Sequence, residues 1–349
     1  MLRSGLNLGA GMTARIACKL LICLSLVPVG QALAQTCATG DEMDGPARTG
    51  LEATAQRYFG LAAKGDVAGL QQISIPSVAQ NFSGIAAAVQ ENQANFAAAK
   101  AAPRAVFALT IQEQAQRLEF LCGVFGKSGQ TASSAVFVLN NLPPGRYAVA
   151  ILDVAAPDTV SKEGTKSDAY VVSFVLQQLA GEWKLGGFYA KPAESAGHDG
   201  PWYAERARTF AAKGQTHNAW FYFLQARNLA SFVPFMSTRE TDRLYDESQK
   251  IMPTDLPGEA PLELLAGVKS YKIRTVFAYG VAGEVNLVVK YDWADVSDAA
   301  KTYAENQAVA RALVAKWPEL RDGFGAIVSR ATEPSGKDYG TLVTIGQLK

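Results

Sequence analysis

Between Gly50 and Ile73 apolar residues return at helical intervals. Leu51, Ala55, Tyr58, Phe59 and Ala62 share one face, and after a "KGD" break Val67, Leu70 and Ile73 resume the stripe. The pattern predicts two helices, with Gly65 just past the end of the first and Asp66 capping the second. The alanine-rich stretch from Ile75 to Ala102 continues in a partly helical pattern. After Pro103 the period changes. "AVFALTI", "LEFLCGVF", "SAVFVLN", "RYAVAILDV", "YVVSFVLQQL" and "EWKLGGFYA" are six runs rich in Val, Phe, Leu, Ile and Tyr. The turn signals "GKSGQ", "LPPG", Pro157 to Asp168 and "AGE" separate them. No helical pattern intervenes, so the sheet is expected to be antiparallel, a meander or a set of hairpins. Helices followed by strands predict an α+β domain whose curved sheet wraps its helices.

"PAESAGHDGP" (Pro192 to Pro201) reads as a linker. From Tyr203 to Ala230 the pattern is again helical, broken at Gly214, and "STRETDRLYDESQKI" reads as a further helix with Ser237 as its cap and Glu240 at capping-box spacing. A second Pro-rich linker, Met252 to Pro261, precedes a hairpin around Gly280 to Gly283. An amphipathic helix stopped by Pro318 and a second hairpin around "EPSGK" follow. This order predicts a small two-layer ββαββ domain. The expected division is residues 1–34, 35–192, 193–260 and 261–349.

The first of these segments changes the picture. Arg15 and Lys19 precede the apolar run "LLICLSLVPV", and Ala32 and Ala34 supply an A-x-A site, so a signal peptide cleaved after Ala34 is expected. Ten apolar residues reach only about 15 Å as a helix, short of a bilayer span. No stable membrane span is expected after cleavage, and the protein is expected to be periplasmic or secreted. Loss of Arg3, Arg15 and Lys19 takes the formal charge from +1 to −2. A slightly acidic chain lacks the basic footprint of a nucleic-acid binder. Cys37 and Cys122 remain, and in an oxidising compartment they are expected to form a disulfide. On the chain-entropy account such a closure stabilises the fold by about 4 kcal/mol.

Reactive groups are few. His198 lies in the first linker and His217 at the helix–helix turn, and both read as exposed. The sequence has no H-E-x-x-H, H-x-H, Cys-x-x-Cys, G-x-S-x-G or P-loop, so no metal or cofactor is expected. Asp153 follows a strong strand, where a turn-forming role competes with that of a buried base. Tyr147 and Tyr170 are strand residues, and Trp183 is either a core plug or a ligand stacker.

"RYFGLAAKGDVAGL" and a closing "GEWKLGGFYAKP" resemble the nuclear-transport-factor-two-like fold, also called the ketosteroid-isomerase-like cone, over about residues 48–192. The resemblance rests on Tyr58, Gly65, Asp66, Trp183 and Phe188. It implies a cone whose pocket would draw on Tyr147, Asp153, Tyr170 and Trp183, and a cavity in which a desolvated carboxylate can act as a base. No catalytic motif of the family maps onto these positions. Over about residues 200–233 the chain resembles one tetratricopeptide unit. Tyr203, Ala207, Phe210, Ala219, Phe223 and Ala226 fall at its consensus positions, but Ser231 stands where that family commonly has proline. A lone unit cannot bury its own apolar face. Trp202, Trp220, Phe221, Tyr222 and Phe223 must therefore pack on a flanking domain or form a patch open to a partner. The expected function is a non-catalytic binding or assembly protein of the cell envelope, contacting an envelope protein. The alternatives are a carrier of a small apolar ligand in the cone, and an isomerase or hydrolase using a buried carboxylate.

Overall fold

A computed structural model describes residues 35–124, 134–155, 169–281 and 283–348. The expected signal segment and the turn signals at 126–130 and 157–168 lie outside the described residues. The chain folds as α+β.

It opens on β1 (Gln35–Thr39), α1 (Gly45–Ala63), α2 (Val67–Gln72), α3 (Pro76–Gln80) and α4 (Ser83–Phe96). The local rules read from the sequence hold here. Gly65 takes φ +67°, which only glycine adopts without strain, and the Asp66 side chain caps α2 by accepting from the Gly69 N–H at 2.8 Å. Six strands follow: β2 (Lys100–Ile111), β3 (Arg117–Cys122), β4 (Ala135–Asn140), β5 (Gly145–Ala155), β6 (Tyr170–Leu179) and β7 (Glu182–Pro192).

These strands do not form one meander. An antiparallel sheet runs β1-β2-β5-β6-β7, while the β3–β4 hairpin leaves it and lies across its far face. Alternation along the strands sorts the side chains. Val106, Ala148, Ala150, Leu152 and Phe174 face the helices. Phe107, Leu109, Tyr147, Val149 and Ile151 face Leu118, Phe120 and Phe137 of the hairpin. With both faces covered, the strands read as continuous apolar runs rather than as half-polar ones. The Cys37–Cys122 disulfide ties β1 to β3, and so joins the two sheets.

The second half contains α5 (Gly200–Ala212), α6 (Thr216–Ala230), β8 (Met236–Thr238), α7 (Arg239–Gln249) and β9 (Leu262–Ala266). It continues with β10 (Lys269–Val281), β11 (Glu284–Asp292), α8 (Ala299–Lys316), α9 (Leu320–Gly323), β12 (Ala326–Thr332) and β13 (Asp338–Thr344). β8 pairs with β4, so the middle of the chain completes the three-stranded sheet β3-β4-β8. The cap of α7 is Thr238, with Thr241 as its reciprocal partner, one residue beyond the expected Ser237 and Glu240.

The C-terminal sheet runs β13-β12-β11-β10-β9. Two corrections to the ββαββ expectation follow. β9 is an added strand, hidden in the sequence by its five residues and its Pro-rich approach. β11 and β12 pair in parallel, with α8 as the crossover, which merges the two hairpins into one sheet.

α5 and α6 pack on this sheet and on α8 in one shared core. Ala207, Ala219 and Ala226 are fully buried between the helices, whose small side chains permit close approach. Phe221 lies 6.4 Å from the Trp317 ring and 6.3 Å from Phe324, and Tyr222 donates to the Gly323 carbonyl. Of the two expectations for the aromatic run, packing on a flanking domain is seen and an open patch is not. Trp220, Phe221, Tyr222 and Phe223 are all buried and Trp202 is half-buried, because the C-terminal module covers the face a lone hairpin leaves bare.

Candidate functional site

The four residues expected to line a common pocket do not converge. Tyr147 and Asp153 lie on β5 with even spacing, on the face away from the helices. The Tyr147 hydroxyl donates to the Pro143 carbonyl at 2.8 Å, and burial raises its pKa. Asp153 is half-buried and pairs with Arg104 at 2.8 Å, so it is not an isolated desolvated base. Tyr170 faces the helices, where its ring meets Phe96 at 5.6 Å and its hydroxyl accepts from Asn95 at 2.7 Å. The interior between helices and sheet is filled by rings: Tyr58 against Phe174 at 6.1 Å, Phe59 against Phe96 at 5.4 Å, and Phe174 against Phe188 at 5.6 Å.

Of the four, Trp183 lines a cavity. A space of about 520 Å3 opens at the end of the helix-facing sheet surface, bounded by Met43, Ala47 and Leu51 beside α1. Register explains the hollow. Ala38, Ala108 and Ala148 stand side by side on β1, β2 and β5, removing side-chain bulk from three neighbouring strands. Two residues toward the strand ends runs a polar row. Thr36 pairs with Thr110, Thr110 with Arg146, and the β5–β6 register continues to Gln178, which pairs with Trp183.

Arg146 stands in the middle of this row. Its guanidinium lies 5.9 Å from the Trp183 ring centroid and has no hydrogen-bond or ion-pair partner among the described residues. The two acids of the cavity are both engaged. Glu42 accepts from the Thr39 N–H at 2.8 Å and the Thr39 hydroxyl at 3.0 Å, and Asp44 caps α1 through the Ala47 N–H at 2.7 Å. An apolar floor, an aromatic wall and one uncommitted cation are the components of a small-molecule site. Sequence reading missed Arg146. The available signal was its parity with Ala148 and Ala150 on β5, which placed a charge on the core-facing side of a strand.

A second polar cluster joins α6 to the C-terminal module. His217, expected to be exposed, keeps only 12% of its side-chain surface. Its Nδ1 lies 2.9 Å from Glu319, its Nε2 lies 2.8 Å from Asp255, and its ring stacks on Trp317 at 4.4 Å. Both ring nitrogens are thus engaged by carboxylates of the same chain. Asp255 also accepts from the Trp317 indole at 2.7 Å and pairs with Lys316 at 3.1 Å. Burial acts to raise its pKa, but the bonds from Trp317, His217 and Lys316 prevail and hold it at about 2. His198 is likewise half-buried, stacked on Trp202 at 3.6 Å.

At the seam between the modules, Lys191 donates to the Asn228 and Leu229 carbonyls that end α6. Burial, assisted by neighbouring Arg104, lowers its pKa to about 8. Among the described residues no cluster of His, Cys, Asp and Glu is placed to hold a metal, and no helix is long and apolar enough to cross a membrane. Compared with known protein families, curated proteins and solved structures, the chain matches none of them.

Proposed function

We propose that this protein is an exported, non-catalytic binding protein that holds a small amphipathic molecule at the open end of its N-terminal sheet. The observation that carries the proposal is the cavity where Ala38 of β1 and Ala108 of β2 meet Trp183 and Arg146. Export is supported by the signal-like N-terminus and by the disulfide, which persists in oxidising compartments. The non-catalytic reading is supported by how the reactive groups are used. Both described cysteines are bridged, His217 is held between two carboxylates, and Asp153 is in a surface ion pair. The resemblance to cone-shaped folds belongs to the same proposal, with the ligand at the rim instead of in the ring-filled interior.

The test is a thermal-shift screen of amphipathic small molecules against the purified full chain and an Ala108→Leu variant that fills the hollow. The proposal expects at least one compound to raise the melting temperature of the wild type and to leave the variant unmoved. A screen without any shift, or one in which both proteins respond alike, removes the site.

A further inference from the structure

Resting on the reading of this cavity as a ligand site, we infer that Arg146 selects the ligand's charge. The site takes a carboxylic acid with an apolar body, its carboxylate on the Arg146 guanidinium and its body along Ala38, Ala108 and the Trp183 indole.

The charges around the cavity support a single negative charge at this position. Several arginines of the fold are matched with acids, among them Arg48 with Glu52, Arg104 with Asp153, Arg208 with Glu247, Arg274 with Asp292 and Arg330 with Asp338, whereas Arg206 and Arg227 lie over aromatic rings. Arg146 faces the cavity without such a partner among the described residues, and a guanidinium binds carboxylates through two parallel hydrogen bonds. The hydroxyls of Thr36 and Thr110, beside it in the row, have no hydrogen-bond partner among the described residues and are free to donate to the same anion.

The acids lie at the other end. Glu42 is bonded to Thr39, and Thr39 is three residues along β1 from Thr36, a distance of about 10 Å. That separation lets an anion occupy the arginine end. One guanidinium matches one negative charge better than two, so a carboxylate fits better than a phosphate monoester.

Isothermal titration of the full chain with four eight-carbon probes tests the inference: octanoate, octan-1-ol, octyltrimethylammonium and octyl phosphate. Octanoate is expected to bind about tenfold or more tightly than octanol, the scale of one charge-assisted fork. Octyl phosphate and octyltrimethylammonium are expected to bind more weakly than octanoate. Arg146→Gln should reduce octanoate to the level of octanol and leave octanol unchanged, while Arg146→Lys, with its charge but without the fork, should fall between. Equal affinity of wild type for octanoate and octanol, or unchanged octanoate binding by Arg146→Gln, overturns charge selection and leaves the cavity as a ligand site. Tighter binding of octyl phosphate or of the ammonium probe overturns the choice of a carboxylate. If none of the four probes binds, both the site and its selectivity fall.

Discussion

Two polar clusters of this protein differ in one respect. Around His217 both ring nitrogens face carboxylates, and Asp255 collects three separate partners. Around Arg146 the threonines, the glutamine and the tryptophan line up beside a guanidinium that no acid among the described residues neutralises. The first cluster is closed: its bonds run between α6, the loop carrying Asp255 and the end of α8. The second is open. A histidine flanked by acids looks at first like chemistry, and a lone arginine at a strand end looks like surface, but the partner count reverses the two readings. Buried polar groups that satisfy one another specify structure, whereas the exposed Arg146 guanidinium is left to solvent or to a ligand at the cavity mouth.

Mutation separates the two clusters. The largest effect is expected for Trp317→Ala, which removes a fully buried indole and the 2.7 Å bond to Asp255. Chemical denaturation should record a loss of about 3–5 kcal/mol. His217→Ala should cost about 1–3 kcal/mol, because Asp255 and Glu319 lose a shared donor. A loss as small as that of a surface substitution would show the cluster to be open as well.

A pH effect comes next. Asp255 is held at about 2, below its unfolded value, so it contributes stability above the unfolded carboxylate range, and that contribution is lost as pH falls through about 2. Acid unfolding followed by circular dichroism should therefore show a transition at lower pH for wild type than for Trp317→Phe, which removes the indole donor but keeps an aromatic ring. The smallest effect on stability is expected for Arg146→Ala, within about 0.5 kcal/mol, since the side chain is exposed and loses no hydrogen bond or ion pair among the described residues. A larger cost would mean that Arg146 supports the fold, and the comparison between the clusters would close.

Local rules carried much of the fold into the sequence. Asp66 and Gly65 announced the α1–α2 junction, and the ββ turn at Gly283 and the stop at Pro318 were equally plain. What stayed hidden depends on contacts between distant segments. β8 has three residues and forms only because β4 offers an edge, and β1 forms only against β2. The fate of the aromatic run at Trp220 turned on which neighbour covers it, which periodicity does not encode. The site was less legible than the fold. Trp183 stands out in the sequence, but its partner Arg146 becomes meaningful only when the five strands of the sheet are set in register. The cone resemblance groups Tyr147 and Tyr170 with it, and their strands turn them to opposite faces of the sheet.

β8 has a consequence for how the chain can be divided. A piece ending at Pro192 would lack the Met236–Thr238 segment that borders β4, along with Val233, Phe235 and Met236, which cover Phe137. Such a piece would present a bare strand margin and a greasy flank to its own copies, conditions that favour clumping. A shortened version meant to isolate the ligand cavity should therefore keep residues through at least Gln249, so that the strand and the helix it leads into travel with the sheets they complete.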